Sequence, residues 1–131
     1  MKVTIGMGCD RNASFQTLET ALSQALDLAN LDFSNVAGLA SIDKKNDEVA
    51  LLALAEKNGW ALHFYSADEL AKVVVPNPSE VVRKYMGTPS VSEAAALLAA
   101  KTEMQNLLIE KHKHLGTDGK NATVSIARIS E

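Results

Sequence analysis

The chain has 131 residues, of which 47% are hydrophobic and 22% are charged, and its formal net charge at pH 7 is -3. These values fit one globular domain over residues 1–131, and they exclude a disordered tail or a fibrous repeat. The acidic balance argues against nucleic acid as a partner, and no apolar run approaches membrane-spanning length, so we expect no membrane partner either.

The first part of the chain alternates strand patterns with helix patterns. The apolar run Lys2–Met7 predicts a strand, and apolar residues at helical spacing then predict a helix that starts at Ser14 and ends near Asn30. A second strand is expected at Val36–Ile42, where small residues in the centre suit close approach by another element.

Two further helices are predicted around a third strand. The pair Asn46-Asp47 offers a cap for the first helix, and Gly59 is expected to end it in the left-handed conformation. The strand "ALHFY" follows, and Ser66 and Glu69 then have the spacing of a capping box. Three successive strand–helix units indicate a parallel sheet with helices on both faces.

Helix-start signals recur in the segment that follows. Ser79 is expected to cap a helix over Glu80–Met86 that Gly87 closes. Ser90 and Glu93 have capping-box spacing for a second, Ala- and Leu-rich helix. Two helix starts this close in sequence would direct free N–H donors at one anion if the fold brings them to the same edge.

The last part of the chain predicts two strands, "NLLIEKH" and "ATVSIARI", which pair antiparallel across a turn at Asp118-Gly119. They would join the parallel strands in one mixed sheet. The expected fold class is therefore α/β, a three-layer α/β/α sandwich with a mixed, mainly parallel sheet of about five strands.

The glycine-rich turn expected after the first strand is the first candidate site. It is not a dinucleotide fingerprint, because Arg11 stands where the third glycine belongs, and no Gly-Lys-Ser/Thr follows to make a P-loop. It does stand at the carboxyl end of a strand, where open α/β sheets hold ligands. Cys9 is either a nucleophile or, as we favour, a packed residue, and Arg11 is either an anion-binding cation or an exposed surface residue.

Charged and imidazole side chains supply further candidates. Lys44 follows the second strand and would add to a cationic edge, while Asp43 and Glu48 could perform acid/base catalysis or simply be solvated or capping carboxylates. His112 and His114 would share one face of a strand, but no third ligand stands out, so we expect no metal site.

Five segments together carry a resemblance to a known family: "GMGCDRNAS", "ASIDKKNDEVALLALAEKNGWALHFYSADEL", "VPNPSEVV", "GTPSVSEAAALLAA" and "TVSIARI". In this order they are similar to the C-terminal domain of the cobalamin biosynthesis protein CbiG, which also occurs alone as CobE. The resemblance covers nearly the whole chain. The chain departs from the family pattern at Asp10, where the family usually carries a basic residue.

The resemblance implies that the protein handles a corrin intermediate in cobalamin (vitamin B12) biosynthesis. In full-length CbiG-like proteins the family activity is hydrolysis of a cobalt-precorrin lactone with release of acetaldehyde, whereas the CobE type is associated with the aerobic pathway. The expected partner is a precorrin or cobalt-precorrin intermediate, and no resident cofactor is expected. One cysteine without a disulfide framework, together with no secretory leader pattern, predicts the cytoplasm.

On this resemblance, twelve positions are expected to line or shape the site: Gly8, Cys9, Arg11, Ser41, Asp43, Lys44, Glu48, Asn77, Ser79, Thr88, Ser90 and Glu93. Asp43, Glu48 and Cys9 are the catalytic candidates among them. Three functions stay open. We favour a binding protein that carries a precorrin without turnover; the alternatives are a lactone hydrolase and a module that docks onto another cobalamin pathway enzyme.

Overall fold

The structure, a computed structural model, describes residues 1–88 and 90–129. Its strands are β1 (Val3–Cys9), β2 (Val36–Ile42), β3 (Ala61–Tyr65), β4 (Leu107–Leu115) and β5 (Asn121–Arg128). Its α-helices are α1 (Phe15–Leu28), α2 (Val49–Asn58), α3 (Ala67–Ala71), α4 (Glu80–Met86) and α5 (Ser92–Ala100). In the part of the chain thus described, every helix is too short or too polar to cross a membrane.

The strands form one sheet in the order β3-β2-β1-β5-β4. Strands β1, β2 and β3 pair in parallel, and β5 pairs antiparallel with both β1 and β4. Because β4 opposes β5, it runs in the same direction as β1, β2 and β3. The predicted mixed, mainly parallel sheet is therefore confirmed, and the carboxyl ends of four strands meet the amino end of β5 at one edge.

Helices cover both faces of the sheet, as predicted. On one face, Ile5 and Met7 of β1 share a core with Leu18 and Leu22 of α1, and residues of α2 extend that core. On the other face α5 lies directly against β1. A Cβ atom added at Gly6 would stand 1.8 Å from the carbonyl oxygen of Ser92, so only glycine permits this approach.

Several predicted helix ends are confirmed. The hydroxyl of Ser14 accepts the N–H of Thr17 at the start of α1, and Ser66 and Glu69 form the expected capping box at α3. Ser79 accepts the N–H of Val82 at the start of α4. Gly59 and Gly87 end α2 and α4 with φ of 68° and 79°, in the left-handed region that suits glycine.

Two predicted caps are wrong. The residue before α2 is Glu48 rather than Asn46 or Asp47, because the carboxylate of Asp47 bonds to Arg11 instead of to the helix. The residue before α5 is Val91, because the hydroxyl of Ser90 donates to the Glu93 carboxylate at 2.9 Å rather than accepting a backbone N–H. A tertiary partner thus occupies the side chain of Asp47, and a local side-chain bond occupies that of Ser90.

The first strand is longer than the sequence predicts. Gly8 and Cys9 pair with Thr123 and Ala122 of β5, so they belong to β1 and not to the turn after it. Pairing with a strand more than a hundred residues away in sequence extends β1 here, and local turn chemistry does not reveal such a partner. As a result Gly8 and Cys9 are part of the sheet itself, at the carboxyl end of the central strand β1.

Candidate functional site

A cleft of about 510 Å³ opens at the sheet edge where β1 and β4 end and β5 begins. Gly8, Cys9 and Thr123 form its floor, and the start of α5 borders it through Val91 and Ser92. Its volume lies within the usual range for small-molecule sites, about 300 to 1,000 Å³. Its two side walls are α4 and β4, and their chemistry differs.

The α4 wall is apolar. Val82 and Met86 of this helix line the cleft, as do Val81 and Tyr85, each of which is 68% exposed. None of the residues of α4 is buried. The helix therefore presents large apolar side chains to an open space, an arrangement that suits a flat apolar ligand face.

The β4 wall is cationic because of a bulge in that strand. Ile109 pairs with Ile126 and His112 pairs with Val124, so β4 has one residue more than β5 between these pairs. Lys111 and Lys113 both line the cleft as a result. His112 faces the opposite side of the sheet, where its Nε2 lies 2.8 Å from the side-chain oxygen of Gln24 on α1.

Behind the β4 wall lies a buried carboxylate, that of Glu93 on the first turn of α5. It accepts hydrogen bonds from the hydroxyl of Ser90 and the amide of Asn77, each at 2.9 Å. The ammonium of Lys111 stands 3.7 Å from the same carboxylate. This network connects α5, the segment before α4, and β4 directly beside the cleft.

The cleft floor contains one thiol and one carboxylate. Burial raises the pKa of the Cys9 thiol to about 11, and the nearby ammonium of Lys45 opposes that rise only partly. The thiol is therefore protonated at neutral pH, which disfavours it as a nucleophile. The carboxylate of Asp10 accepts the backbone N–H of Asn121 at 2.8 Å and joins the end of β1 to the start of β5.

The structure brings seven of the twelve predicted positions to this cleft or to the network behind it: Gly8, Cys9, Asn77, Ser79, Thr88, Ser90 and Glu93. Ser79 lines the cleft together with Ser92, so the two helix starts do border one space. Thr88 is buried, and its hydroxyl donates to the carbonyl of Ser90. The other five positions lie elsewhere.

Arg11 and Glu48 form an ion cluster outside the cleft. Glu48 is only 2% exposed, and its carboxylate accepts the backbone N–H of Asn12. The same carboxylate lies 2.8 Å from the guanidinium of Arg11 and 3.9 Å from the ammonium of Lys45. Arg11 also donates to Asp47 at 2.7 Å and to the carbonyl of Lys44 at 2.9 Å. These charges compensate one another and join the turn after β1 to the start of α2, so Arg11 is not a free anion-binding cation here.

The remaining three positions are also engaged or remote. Ser41 is buried, and its hydroxyl donates to the carbonyl of Met7 across the β1–β2 pair. Lys44 donates to the carbonyl of Met86 at 3.2 Å and so holds the end of α4. Asp43 is exposed in the short 3₁₀ turn after β2. None of them lines the cleft.

Sequence reasoning missed the cleft lysines and the apolar wall. The signal for the lysines was present in "KHKH", because residues two apart share a strand face, but the predictions followed the histidines. Val81 and Tyr85 carried no signal, since exposure of an apolar residue depends on what packs against its helix. Within residues 1–88 and 90–129, no three His, Cys, Asp or Glu side chains come together as metal ligands would.

Comparison with known proteins gives consistent matches. A family described as "Cobalamin synthesis G C-terminus" matches residues 3–127. The chain is 35% identical over 127 residues to the cobalt-precorrin-5A hydrolase of Priestia megaterium, covering 97% of this chain and 32% of that protein. It is 32% identical over 111 residues to the protein CobE of a Sinorhizobium species, covering 83% of this chain and 71% of that one.

A solved structure has the same fold. A crystal structure of CobE, described as a protein from the cobalamin (vitamin B12) biosynthetic pathway, superposes with a TM-score of 0.76 at 27% identity and covers 99% of this chain and 93% of that one. The chain thus spans nearly the whole of that structure, but only about a third of the Priestia hydrolase.

Proposed function

The chain belongs to the cobalamin synthesis G C-terminus family and is a cobalamin biosynthesis protein, and from this premise we propose that it binds a precorrin intermediate in the cleft between α4 and β4. The proposal assigns it the role of a carrier that holds the intermediate without turnover, acting in the cytoplasm. Its one cysteine is free, which suits a reducing compartment.

The pairing of an apolar wall with a cationic wall carries this proposal. A precorrin has an apolar macrocycle edged by acetate and propionate carboxylates, so its receptor needs an apolar surface beside cations. Tyr85 and Val81 of α4 offer that surface, and Lys111 and Lys113 of β4 stand opposite. Val81 and Tyr85 are both largely exposed, so the cleft is open to solvent along α4 and can take a ring larger than the enclosed volume.

The positions and partners of the three catalytic candidates favour binding over hydrolysis. Cys9 has a pKa of about 11 because it is partly buried, Glu48 is held by Arg11 and Asn12, and Asp43 is exposed outside the cleft. A general base must lie within hydrogen-bonding reach of the water that it activates beside the substrate. Neither carboxylate lines the cleft in which the substrate would sit.

Hydrolysis of a precorrin lactone is the second candidate. It is favoured by the 35% identity to a relative named cobalt-precorrin-5A hydrolase. In that case the chain would supply the lysine wall for the substrate carboxylates, and acetaldehyde would be released, as the family resemblance implies. The third candidate, docking onto another enzyme of the pathway, would be favoured if the same experiment gave neither binding nor product.

The test is a titration of the purified protein with metal-free and cobalt-containing precorrins, followed by absorption spectroscopy and by an acetaldehyde assay on the same samples. A saturable spectral change without acetaldehyde is expected. Release of acetaldehyde would show that the protein is a hydrolase and not a carrier. No response in either assay would contradict both functions and favour a protein partner.

A matched pair of variants locates the site. Val81→Asp places a like charge against the ligand carboxylates and should weaken binding about tenfold or more. Val74→Asp is the control, because Val74 is 71% exposed, close to the 68% of Val81, but does not line the cleft. Equal affinities for the two variants would place the ligand away from α4.

A further inference from the structure

The two lysines of the β4 wall have different surroundings. The side chain of Lys111 is 18% exposed, and its ammonium donates to the carbonyl of Asn77 at 3.4 Å and lies 3.7 Å from Glu93. Lys113 is exposed, and its side chain makes no hydrogen bond or ion pair with any residue in the described ranges 1–88 and 90–129. One ammonium is thus already engaged and the other faces open solvent.

Glu93 accounts for this difference. Its side chain is fully buried, and a buried carboxylate is stable only when it is paired and hydrogen-bonded. Ser90 and Asn77 supply neutral donors, and Lys111 is the cation beside it. Drawing Lys111 away toward a ligand would leave the Glu93 charge without its counter-ion, so Lys111 is a weak anion receptor.

We propose that Lys113 is the residue of the cleft that binds a carboxylate of the ligand, and that Glu93 is a positioning residue that retains Lys111 as its own counter-ion. This inference rests on the proposed function. It assigns an orientation to the bound ring: one acidic edge lies against Lys113, and an apolar face lies on α4 beside Tyr85. Specificity then depends on a free carboxylate at that edge.

The experiment compares two stable probes, a corrin that carries free acetate and propionate carboxylates and the fully methyl-esterified form of the same corrin. Binding of each probe is measured by absorption for the wild type, Lys113→Met, Lys111→Met and the control Lys72→Met. Lys72 is exposed at the end of α3 and does not line the cleft. Thermal unfolding of each variant checks that it is folded.

Lys113→Met should weaken binding of the free-acid corrin about three- to tenfold, as expected for loss of one partly solvated charge-assisted contact. Its affinity for the ester should not change, and the salt dependence of acid binding should become shallower. Lys111→Met should have a smaller effect on the acid. If Lys113→Met binds the acid as tightly as Lys72→Met while the wild type binds well, the inference is wrong and the proposed function stands.

Glu93→Gln tests the positioning role from the other side. The glutamine oxygen can still accept from Asn77 and its amide can donate to the Ser90 hydroxyl, but the negative charge beside Lys111 is gone. The released ammonium should then strengthen free-acid binding about two- to fivefold without strengthening ester binding. Unchanged or weaker acid binding in a folded variant would contradict the role given to Glu93. Failure of the wild type to bind either probe would overturn the proposed function together with this inference.

Discussion

Cys9 shows how position decides the chemistry of a single residue. It stands at the carboxyl end of a strand beside a ligand-sized cleft, where a nucleophile would be well placed. Burial nevertheless raises its thiol pKa to about 11, so it is a poor source of thiolate at neutral pH. The same burial makes it useful as a reporter, since it is the one cysteine of the chain.

We predict that Cys9 reacts with iodoacetamide about tenfold more slowly at pH 7.5 than it does in the urea-unfolded protein. A rise of two pKa units lowers the thiolate fraction about a hundredfold, whereas the more basic thiolate reacts about tenfold faster, so the net rate is about tenfold lower. The rate should keep rising with pH toward about 11. A rate that levels off by about pH 10 would show an ordinary thiol and would contradict the shifted pKa.

Glu48 is the residue whose loss should cost most stability among the predicted site residues. Its buried carboxylate is the shared partner of Arg11, Lys45 and the N–H of Asn12. Glu48→Ala should lower the free energy of unfolding in urea by about 3 kcal/mol, because buried Lys45 loses its counter-ion. Asp47→Ala is the control, since Asp47 is exposed and its solvated pair with Arg11 should contribute little to stability. Equal losses would mean that the cluster is not built around Glu48.

At the scale of elements, the close approach of α5 to the sheet determines where the cleft lies. Gly6 faces the backbone of α5 at Ser92 and Ala96, so the helix start can approach β1 and border the cleft floor. The small residues of the helix continue this close packing, because Ala94, Ala95 and Ala96 are all fully buried.

Gly6→Ala should therefore destabilise the protein by about 3 kcal/mol or more, because its methyl group would overlap backbone atoms that cannot move without shifting α5. Gly38→Ala is the matched control on the neighbouring strand. A Cβ there meets its nearest atoms at 3.6 Å, an ordinary contact, so its free energy of unfolding should change by less than about 1 kcal/mol. Similar losses for both variants would show that α5 is free to move outward.

The turn between β4 and β5 is held against the start of α1 by Asp118. Its carboxylate accepts the N–H of Ser14 at 2.9 Å and the hydroxyl of Thr17 at 2.9 Å, and chiefly the Ser14 bond lowers its pKa to about 2. A depressed pKa means that this stabilisation is complete above the unfolded pKa of about 4 and is lost as the pH falls from about 4 toward 2.

The stability difference between the wild type and Asp118→Asn should accordingly be constant from pH 5 to 7 and shrink below pH 4. Urea midpoints of the two proteins at pH 7 and pH 2.5 measure it, and titration of the other carboxylates cancels in the comparison. A difference that is the same at both pH values would exclude ionised Asp118 as the source.

At the scale of the whole molecule, α4 is attached more loosely than the other helices. It contributes a complete wall of the cleft but buries none of its residues. Lys44 bonds to the carbonyl of Met86 at its end, Lys111 bonds to the carbonyl of Asn77 in the segment before it, and Val82 and Met86 pack against the core only partly buried. A helix with so few buried contacts can open locally while the sheet stays folded.

We predict that amides of α4 exchange with deuterium through local opening, with little dependence on low urea concentrations, whereas those of β1 exchange only on global unfolding. Mass spectrometry of peptides from α4 and β1 would measure this, and the free-acid corrin should slow the local exchange of α4 when it covers that helix. Equal protection of the two elements would mean that α4 is a fixed part of the fold.

The sequence by itself determined the family, the order of the elements and the mixed sheet. Strand periodicity and most of the helix ends, such as the Ser66–Glu69 box and Gly59, depend on residues within a few positions of each other, so a linear reading captures them. Candidate residues for the site could be proposed from sequence, and their roles in binding remain predictions.

Only the tertiary structure decided which charges are available to a ligand. Arg11 is paired with Glu48, which lies 37 positions further along the chain. Lys111 of the bulged strand β4 is paired with Glu93, whereas Lys113 lines the cleft without such a partner among the described residues. No local pattern encodes these pairings, because the partners meet only when separate elements pack. The charge of a side chain is a property of its sequence, but whether that charge is free depends on the fold.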